Sequence, residues 1–85
     1  MEYYIVYGWA DCPFCVSAKE LLEEKEERHM MVYLDHDDGL LEYFKKTYDH
    51  PTVPIVIKKG RQKPDTTLIG GYTDLCNHLD QGKNK

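Results

Sequence analysis

The feature that most constrains the fold is a strand-like segment, a helical segment and a second strand-like segment in direct succession. Residues 3–9 are β-branched and aromatic without polar alternation, which predicts a strand buried on both faces. From Pro13 onward, Ala18, Leu21 and Leu22 recur at helical spacing, which predicts an amphipathic helix of about 14 residues. Residues 30–34 are the second apolar run. This unit predicts a parallel strand pair joined by a right-handed crossover.

The rest of the chain predicts a second helix, a strand hairpin and a last helix. The second helix is marked by apolar side chains at helical spacing: Leu40, Leu41, Phe44 and Tyr48. Residues 53–57 and 66–69 are two predicted strands, and the loop between them, residues 58–65, predicts an antiparallel pair. Pro54 falls inside the first of these strands, which requires a bulge, an edge position or a cis peptide bond. Thr73 is the expected N-cap of the last helix.

Length and composition indicate one small domain over residues 1–85. The predicted elements make it an α/β domain of order β-α-β-α-β-β-α, with a central four-stranded mixed sheet flanked by helices. The net charge of −4 disfavours nucleic acid as a partner, and no apolar run approaches the roughly 18 residues of a membrane helix. Three cysteines are an odd number, unlike most secreted disulfide scaffolds, and the first residues lack a signal-peptide pattern. We therefore expect a reducing, cytoplasmic location.

The motif with the clearest chemistry is Cys12-Pro13-Phe14-Cys15, between the first strand and the first helix. At a helix N-terminus, unpaired N–H groups and the helix dipole favour thiolate over thiol, so Cys12 is the expected exposed nucleophile and Cys15 a less exposed partner. A structural zinc site and an inert disulfide are the alternatives. Zinc needs four ligands at recognisable spacing, and Cys76 stands alone, so we expect no metal. We expect Cys76 to pack as a small core residue, with a regulatory or dimerising thiol as the alternative.

Three segments together resemble the signature segments of glutaredoxins: Cys12-Pro13-Phe14-Cys15, Thr52-Val53-Pro54 and Gly70-Gly71-Tyr72-Thr73-Asp74. Their order and the element pattern between them also match that family. The resemblance covers nearly the whole chain and implies a thioredoxin-like fold. It also implies a glutathione-dependent thiol–disulfide oxidoreductase that reduces protein disulfides and glutathione mixed disulfides.

The resemblance also implies roles for individual residues. It assigns Cys12 as the nucleophile and Cys15 as the resolving thiol. It makes Pro54 a cis-proline opposite the cysteines, with Thr52 and Val53 in the glutathione site. The backbone of Val53 is expected to pair with the cysteinyl part of glutathione like an added strand.

The other end of the glutathione site follows from the same resemblance. Thr73 and Asp74 match the residues that hold the γ-glutamyl end, where Asp74 can pair with the ammonium group and helix N–H groups can bind the carboxylate. Phe14 supplies an apolar wall, and Tyr72 either flanks this site or packs as a hydrophobic staple. Many glutaredoxins carry Lys or Arg shortly before the first cysteine, where this chain has Asp11, so Lys45 or Lys46 is expected to bind the glycyl carboxylate.

These roles imply glutathione as the reductant and disulfide-containing proteins as partners, with ribonucleotide reductase as one example, and a monomeric protein. Two alternatives stay open at this point. One is a glutaredoxin-like electron donor that thioredoxin reductase re-reduces. The other is a non-enzymatic carrier of a two-iron two-sulfur cluster, with Cys12 as an iron ligand.

Overall fold

The computed structural model describes residues 2–60 and 65–83. The elements follow the predicted order β-α-β-α-β-β-α: β1 Tyr3–Gly8, α1 Pro13–Glu24, β2 His29–Tyr33, α2 Asp38–Thr47, β3 Ile55–Lys59, β4 Thr66–Gly70 and α3 Tyr72–Lys83. Within the described residues, no helix has the length and apolarity needed to cross a membrane.

The strands form one mixed sheet in the order β2-β1-β3-β4. β1 and β2 are parallel, with Gly8 opposite Tyr33, so both strands end at the same edge of the sheet. β3 is antiparallel to both β1 and β4, which confirms the predicted hairpin. The loop that follows β1 at this edge carries Cys12.

The sheet separates two hydrophobic clusters because successive side chains of a strand point to opposite faces. The first cluster joins β1 and β3 to α1 and α3: Tyr4, Val6, Ala18, Leu22, Val56, Leu75 and Leu79. The second lies against α2: Tyr7, Leu34, Leu41, Ile55 and Ile57. The predicted burial of β1 on both faces is confirmed over its second half, and Tyr3 at its start is exposed. The ring of Tyr7 stacks on that of Phe44, with centroids 4.1 Å apart.

Several boundaries differ from the sequence prediction. β1 ends at Gly8, so Trp9 lies outside the strand with 39% of its surface exposed. α1 has 12 residues and not about 14. β3 begins at Ile55, directly after Pro54, because a proline has no N–H to donate to a strand ladder. Of the predicted 58–65 loop, the first two residues belong to β3, and residues 61–64 lie outside the described residues.

The first two helices end in the same way, with a residue in the left-handed region. After α1, Glu26 has φ 57°, and the N–H of Glu27 donates to the Leu22 carbonyl at 2.9 Å. After α2, Asp49 has φ 50°, and the N–H of His50 donates to the Lys45 carbonyl at 2.9 Å. Both are Schellman motifs in which glycine is the favoured residue at the left-handed position. The second motif ends α2 and so determines where the segment that leads to Pro54 begins.

Candidate active site

Cys12 lies at the N-cap of α1, as the sequence predicts. Its backbone is extended (φ −81°, ψ 116°), its Sγ accepts a hydrogen bond from the N–H of Cys15 at 3.3 Å, and Pro13 begins the helix. Acidic side chains are absent from the first turn of α1. The partly exposed sulfur therefore lies at a helix N-terminus, where a backbone N–H donates to it.

Cys15 has the opposite surroundings. Its side chain is fully buried, and Gly8 lies so close that even a Cβ added at Gly8 would sit 3.2 Å from the Cys15 Cβ. Burial, followed by the hydrogen bond with Cys12, raises the pKa of the Cys15 thiol to about 12. The two thiols therefore have contrasting surroundings, because Cys12 is partly exposed while Cys15 is buried and protonated.

Asp35 fixes the loop that leads to Cys12. Both of its carboxylate oxygens accept from the N–H of Ala10 at 3.1 Å, and the N–H of Leu34 donates to the Gly8 carbonyl at 2.8 Å. The negative charge of Asp35 also adds to the raised pKa of Cys15. The sequence alone does not single out this residue. The parallel pairing of β1 and β2 is the signal that could have found it, because residues that follow two parallel strands meet at one edge.

The segment around Pro54 lies beside the cysteines through the register of the sheet. The Val53–Pro54 peptide bond is cis, as the resemblance implies. Tyr7 pairs with Ile55, so Pro54 lies level with Gly8, the residue in contact with Cys15. Pro54 is buried, Val53 is half-buried and Thr52 is exposed. The half-buried Val53 thus lies in the segment next to the thiols.

The start of α3 corrects one prediction. The helix begins at Tyr72, so Thr73 lies within its first turn and is not the N-cap. Asp74 does the capping, because its Oδ2 accepts from the N–H of Gly71 at 3.0 Å. Gly70 has φ 121°, and an added Cβ there would lie 2.9 Å from the Asp74 Cβ, so this position requires glycine. Thr73 and Asp74 are both exposed at this helix N-terminus.

Aromatic rings join the start of α3 to the cysteine motif. The ring of Phe14, which is 60% exposed, lies 6.1 Å from the ring of Tyr72, centroid to centroid. A hydrogen bond with the Cys76 thiol raises the pKa of the Tyr72 hydroxyl. Cys76 is only half-buried, so its predicted core position is wrong. The reason is its position one residue beyond Leu75, which occupies the buried face of α3.

The predicted cations lie on the α2 side of the site. Lys45 and Lys46 are in the last turn of α2 and line a cavity of about 330 Å³ with His50 and Pro51. Glu42 and Asp49 line the same cavity. The structure therefore places both lysines next to the segment that leads to Thr52, and two carboxylates line the same cavity. Across the described part of the chain, no three His, Cys, Asp or Glu side chains come together as a group that could hold a metal ion.

A family model described as glutaredoxin matches residues 4–62 of the chain. The chain belongs to the glutaredoxin family. The chain is 28% identical over 81 residues to glutaredoxin 1 of Rickettsia prowazekii, covering 93% of this chain and 79% of that protein. A wheat glutaredoxin crystal structure superposes with a TM-score of 0.76 at 28% identity, covering 94% of this chain and 71% of the wheat chain.

A dithiolic glutaredoxin from Trypanosoma brucei brucei, solved in solution, gives a TM-score of 0.73 at 28% identity. The alignment covers 96% of this chain and 81% of that one. These glutaredoxins share the four-stranded mixed sheet and three helices of the present chain, so the predicted thioredoxin-like fold is confirmed.

Proposed function

We propose that this protein is a glutathione-dependent thiol–disulfide oxidoreductase that reduces glutathione mixed disulfides and protein disulfides. The observation that carries the proposal is the contrast between two thiols one helical turn apart. The Cys12 sulfur accepts an N–H at a helix N-terminus, whereas Cys15 is fully buried. Membership of the glutaredoxin family supports thiol oxidoreductase activity in general.

In the first half-reaction the Cys12 thiolate attacks the glutathione sulfur of a mixed disulfide. A Cys12–glutathione disulfide bond forms, the bond to the substrate sulfur breaks, and the substrate departs as a thiolate that takes a proton from water. Helix α1 stabilises the attacking thiolate through the N–H of Cys15, which lies 3.3 Å from the Cys12 sulfur.

Two routes can release Cys12. In the first, a second glutathione thiolate attacks the bound glutathione sulfur, which yields glutathione disulfide and the Cys12 thiolate. In the second, Cys15 loses its proton to solvent and attacks the Cys12 sulfur, which forms a Cys12–Cys15 disulfide and expels the bound thiolate. Two molecules of glutathione then reduce this disulfide and leave as glutathione disulfide, which restores both thiols. Burial raises the pKa of Cys15 to about 12, so the second route requires Cys15 to lose its proton before it attacks.

The proposed glutathione-binding site consists of three surfaces next to Cys12. The backbone of the half-buried Val53 offers an edge for the cysteinyl part of glutathione. The N-terminus of α3, with Thr73 and Asp74, offers N–H groups to a carboxylate and a carboxylate to an ammonium group. Phe14 and Tyr72 form an apolar wall between them, and Thr52 completes the segment before the proline.

Lys45 and Lys46 supply positive charge on the α2 side of this binding site, where we place the glycyl carboxylate of glutathione. The carboxylates of Glu42 and Asp49 in the same cavity weaken this attraction. We therefore expect Lys45→Ala or Lys46→Ala to reduce turnover severalfold. Unchanged kinetics in both variants would place the glycyl carboxylate elsewhere.

A coupled assay tests the proposal directly. Glutathione, glutathione reductase and a small glutathione mixed disulfide are combined with the protein, and NADPH oxidation is followed beside a parallel arm with thioredoxin reductase. We expect consumption in the glutathione arm alone. Consumption only in the thioredoxin reductase arm would refute glutathione dependence and identify the other electron donor class.

Variants of the two cysteines provide the controls. Cys12→Ser is expected to abolish activity, because it removes the attacking sulfur. Cys15→Ser is expected to retain removal of glutathione from mixed disulfides and to lose reduction of protein disulfides, for which the disulfide of ribonucleotide reductase is a suitable substrate. The reverse pattern would exchange the roles of Cys12 and Cys15. We further propose that the protein acts as a cytoplasmic monomer.

A further inference from the structure

His50 occupies a defined position between α2 and the segment that leads to the cis-proline. Its N–H closes the Schellman motif of α2 by donating to the Lys45 carbonyl at 2.9 Å, after the left-handed turn at Asp49. The backbone of His50 is thus attached to a helix, and its side chain is half-buried. No part of the mechanism above uses this imidazole.

The imidazole contacts the neighbouring backbone on one side. Its Nδ1 lies 2.8 Å from the carbonyl oxygen of Thr52. A carbonyl oxygen can only accept, so Nδ1 carries the proton and donates it to Thr52. This bond fixes the carbonyl group of Thr52 in one orientation.

The opposite edge of the ring faces the start of α3. The Cε1 and Nε2 atoms of His50 are each 3.8 Å from the point where a Cβ on Gly71 would lie. The carbonyl oxygen of Pro54 is 3.9 Å from the same point. The ring therefore fills the space between the segment before the cis-proline and the N-terminus of α3.

We infer that His50 is a positioning residue that orients the backbone of Val53 for glutathione. The carbonyl of Thr52 and the N–H of Val53 belong to one planar trans peptide group and point in opposite directions. When His50 holds that carbonyl, the N–H of Val53 is directed away from His50 and is available to a ligand. This inference rests on the proposed function, in which the Val53 backbone pairs with glutathione.

Two substitutions separate this role from direct contact with the ligand. Asparagine places an amide N–H at the position of the histidine Nδ1, so His50→Asn retains the donor to Thr52. Glutamine places its amide near the position of Nε2, so His50→Gln removes that donor and retains a polar group at the far edge. His50→Ala removes both.

The measurement is the single-turnover rate constant of each reduced variant with two disulfides, a glutathionylated peptide and dipyridyl disulfide. At a subsaturating concentration of the glutathionylated peptide, we expect the rate constants of His50→Ala and His50→Gln to be about fivefold lower than that of wild type. This is the effect of one net hydrogen bond. Both should react with dipyridyl disulfide at the wild-type rate. His50→Asn should stay within about twofold of wild type with both substrates.

His29→Ala is the matched control. The Nδ1 of His29 lies 2.8 Å from the Glu27 carbonyl, the same contact across the same sequence separation. His29 starts β2 and pairs with Tyr4, at the opposite edge of the sheet from Cys12. We expect this variant to react like wild type with both disulfides, which shows that losing such a bond elsewhere has no effect on glutathione.

Several results would overturn the inference. Equal losses with both substrates would indicate a general disturbance of the fold, and retention by His50→Gln with loss by His50→Asn would indicate direct contact through Nε2. If His50→Ala fails to fold, the comparison of His50→Asn with His50→Gln decides alone. A wild-type protein without preference for the glutathionylated peptide would refute the proposed glutathione-binding site itself. A preference that is retained in every His50 variant would refute only the role of His50.

Discussion

The contact between Gly8 and Cys15 makes a specific prediction about the substitution Gly8→Ala. Gly8 ends β1 and is buried, and Cys15 faces it from the first turn of α1 with no exposed surface. A Cβ at Gly8 would lie 3.2 Å from the Cys15 Cβ and closer still to its sulfur. Either the cysteine side chain must leave its position or α1 must move away from the sheet.

The expected magnitude follows from the cost of inserting a methyl group into a packed core. Such overpacking typically costs about 1–3 kcal/mol of unfolding free energy. In a domain of this size each kcal/mol corresponds to about 4–8 °C, so we expect the melting temperature to fall by about 4–24 °C. Displacement of the resolving thiol should also reduce the rate of protein disulfide reduction, while removal of glutathione through Cys12 continues.

Thermal unfolding followed by circular dichroism, with all thiols reduced, measures the first effect. Gly39→Ala is the control, because a Cβ there would lie 3.9 Å from the Asp37 Oδ1, an ordinary contact on the exposed surface of α2. Alanine in a helix is favoured over glycine by about 0.5–1 kcal/mol, so this variant should melt slightly higher. A Gly8→Ala protein that melts within about 2 °C of wild type would show that β1 and α1 tolerate the methyl group, and would refute the reasoning.

Three further substitutions test separate parts of the structure. Glu26→Gly should raise the free energy of unfolding by about 1 kcal/mol, because φ 57° is unfavourable for glutamate, and a lower denaturation midpoint would contradict this. Asp35→Asn keeps an acceptor for the loop but removes charge, so the pKa of Cys15 should fall and its alkylation by iodoacetamide at fixed pH should become faster; a slower reaction would argue against it. Burial and then Lys58 lower the pKa of His78, so the folded state binds fewer protons than the unfolded state. The resulting stability is present above the unfolded pKa of about 6.5 and is lost on acidification, so the urea midpoint should fall less between about pH 7.5 and 5.5 in His78→Gln than in wild type.

The order of elements follows from hydrophobic periodicity, because each apolar run is long enough to cover one face of the sheet or one side of a helix. The boundaries depend on groups that periodicity does not show. β3 starts after Pro54 because proline cannot donate to the ladder. α3 starts one residue before Thr73 because Asp74 reaches back to the Gly71 N–H. The sequence is compatible with either Thr73 or Asp74 as the capping residue of α3, and the three-dimensional path of the chain selects Asp74.

In the candidate site, too, some residues can be predicted from the sequence and others only from the folded chain. The position of Cys12 at a helix N-terminus is predicted from the local sequence, whereas the cis bond before Pro54 is implied only by the family resemblance. Asp35 and His50 were missed because their contacts are visible only in the folded chain. Asp35 reaches Ala10 across 25 residues, and His50 bonds a carbonyl only two residues away but in a loop whose path α2 determines.

The two thiols of the motif illustrate how one helix creates two opposite chemical environments. An N-terminal position gives Cys12 the N–H of Cys15 as a donor, and the same first turn places Cys15 against Gly8 in the core. A residue larger than glycine at position 8 would displace the Cys15 side chain or α1, whereas the hydrogen bond between Cys15 and Cys12 does not involve position 8. The contrast between the two thiols therefore depends on β1 as much as on the cysteine motif, and a substitution at position 8 should change the surroundings of Cys15 although both cysteines are retained.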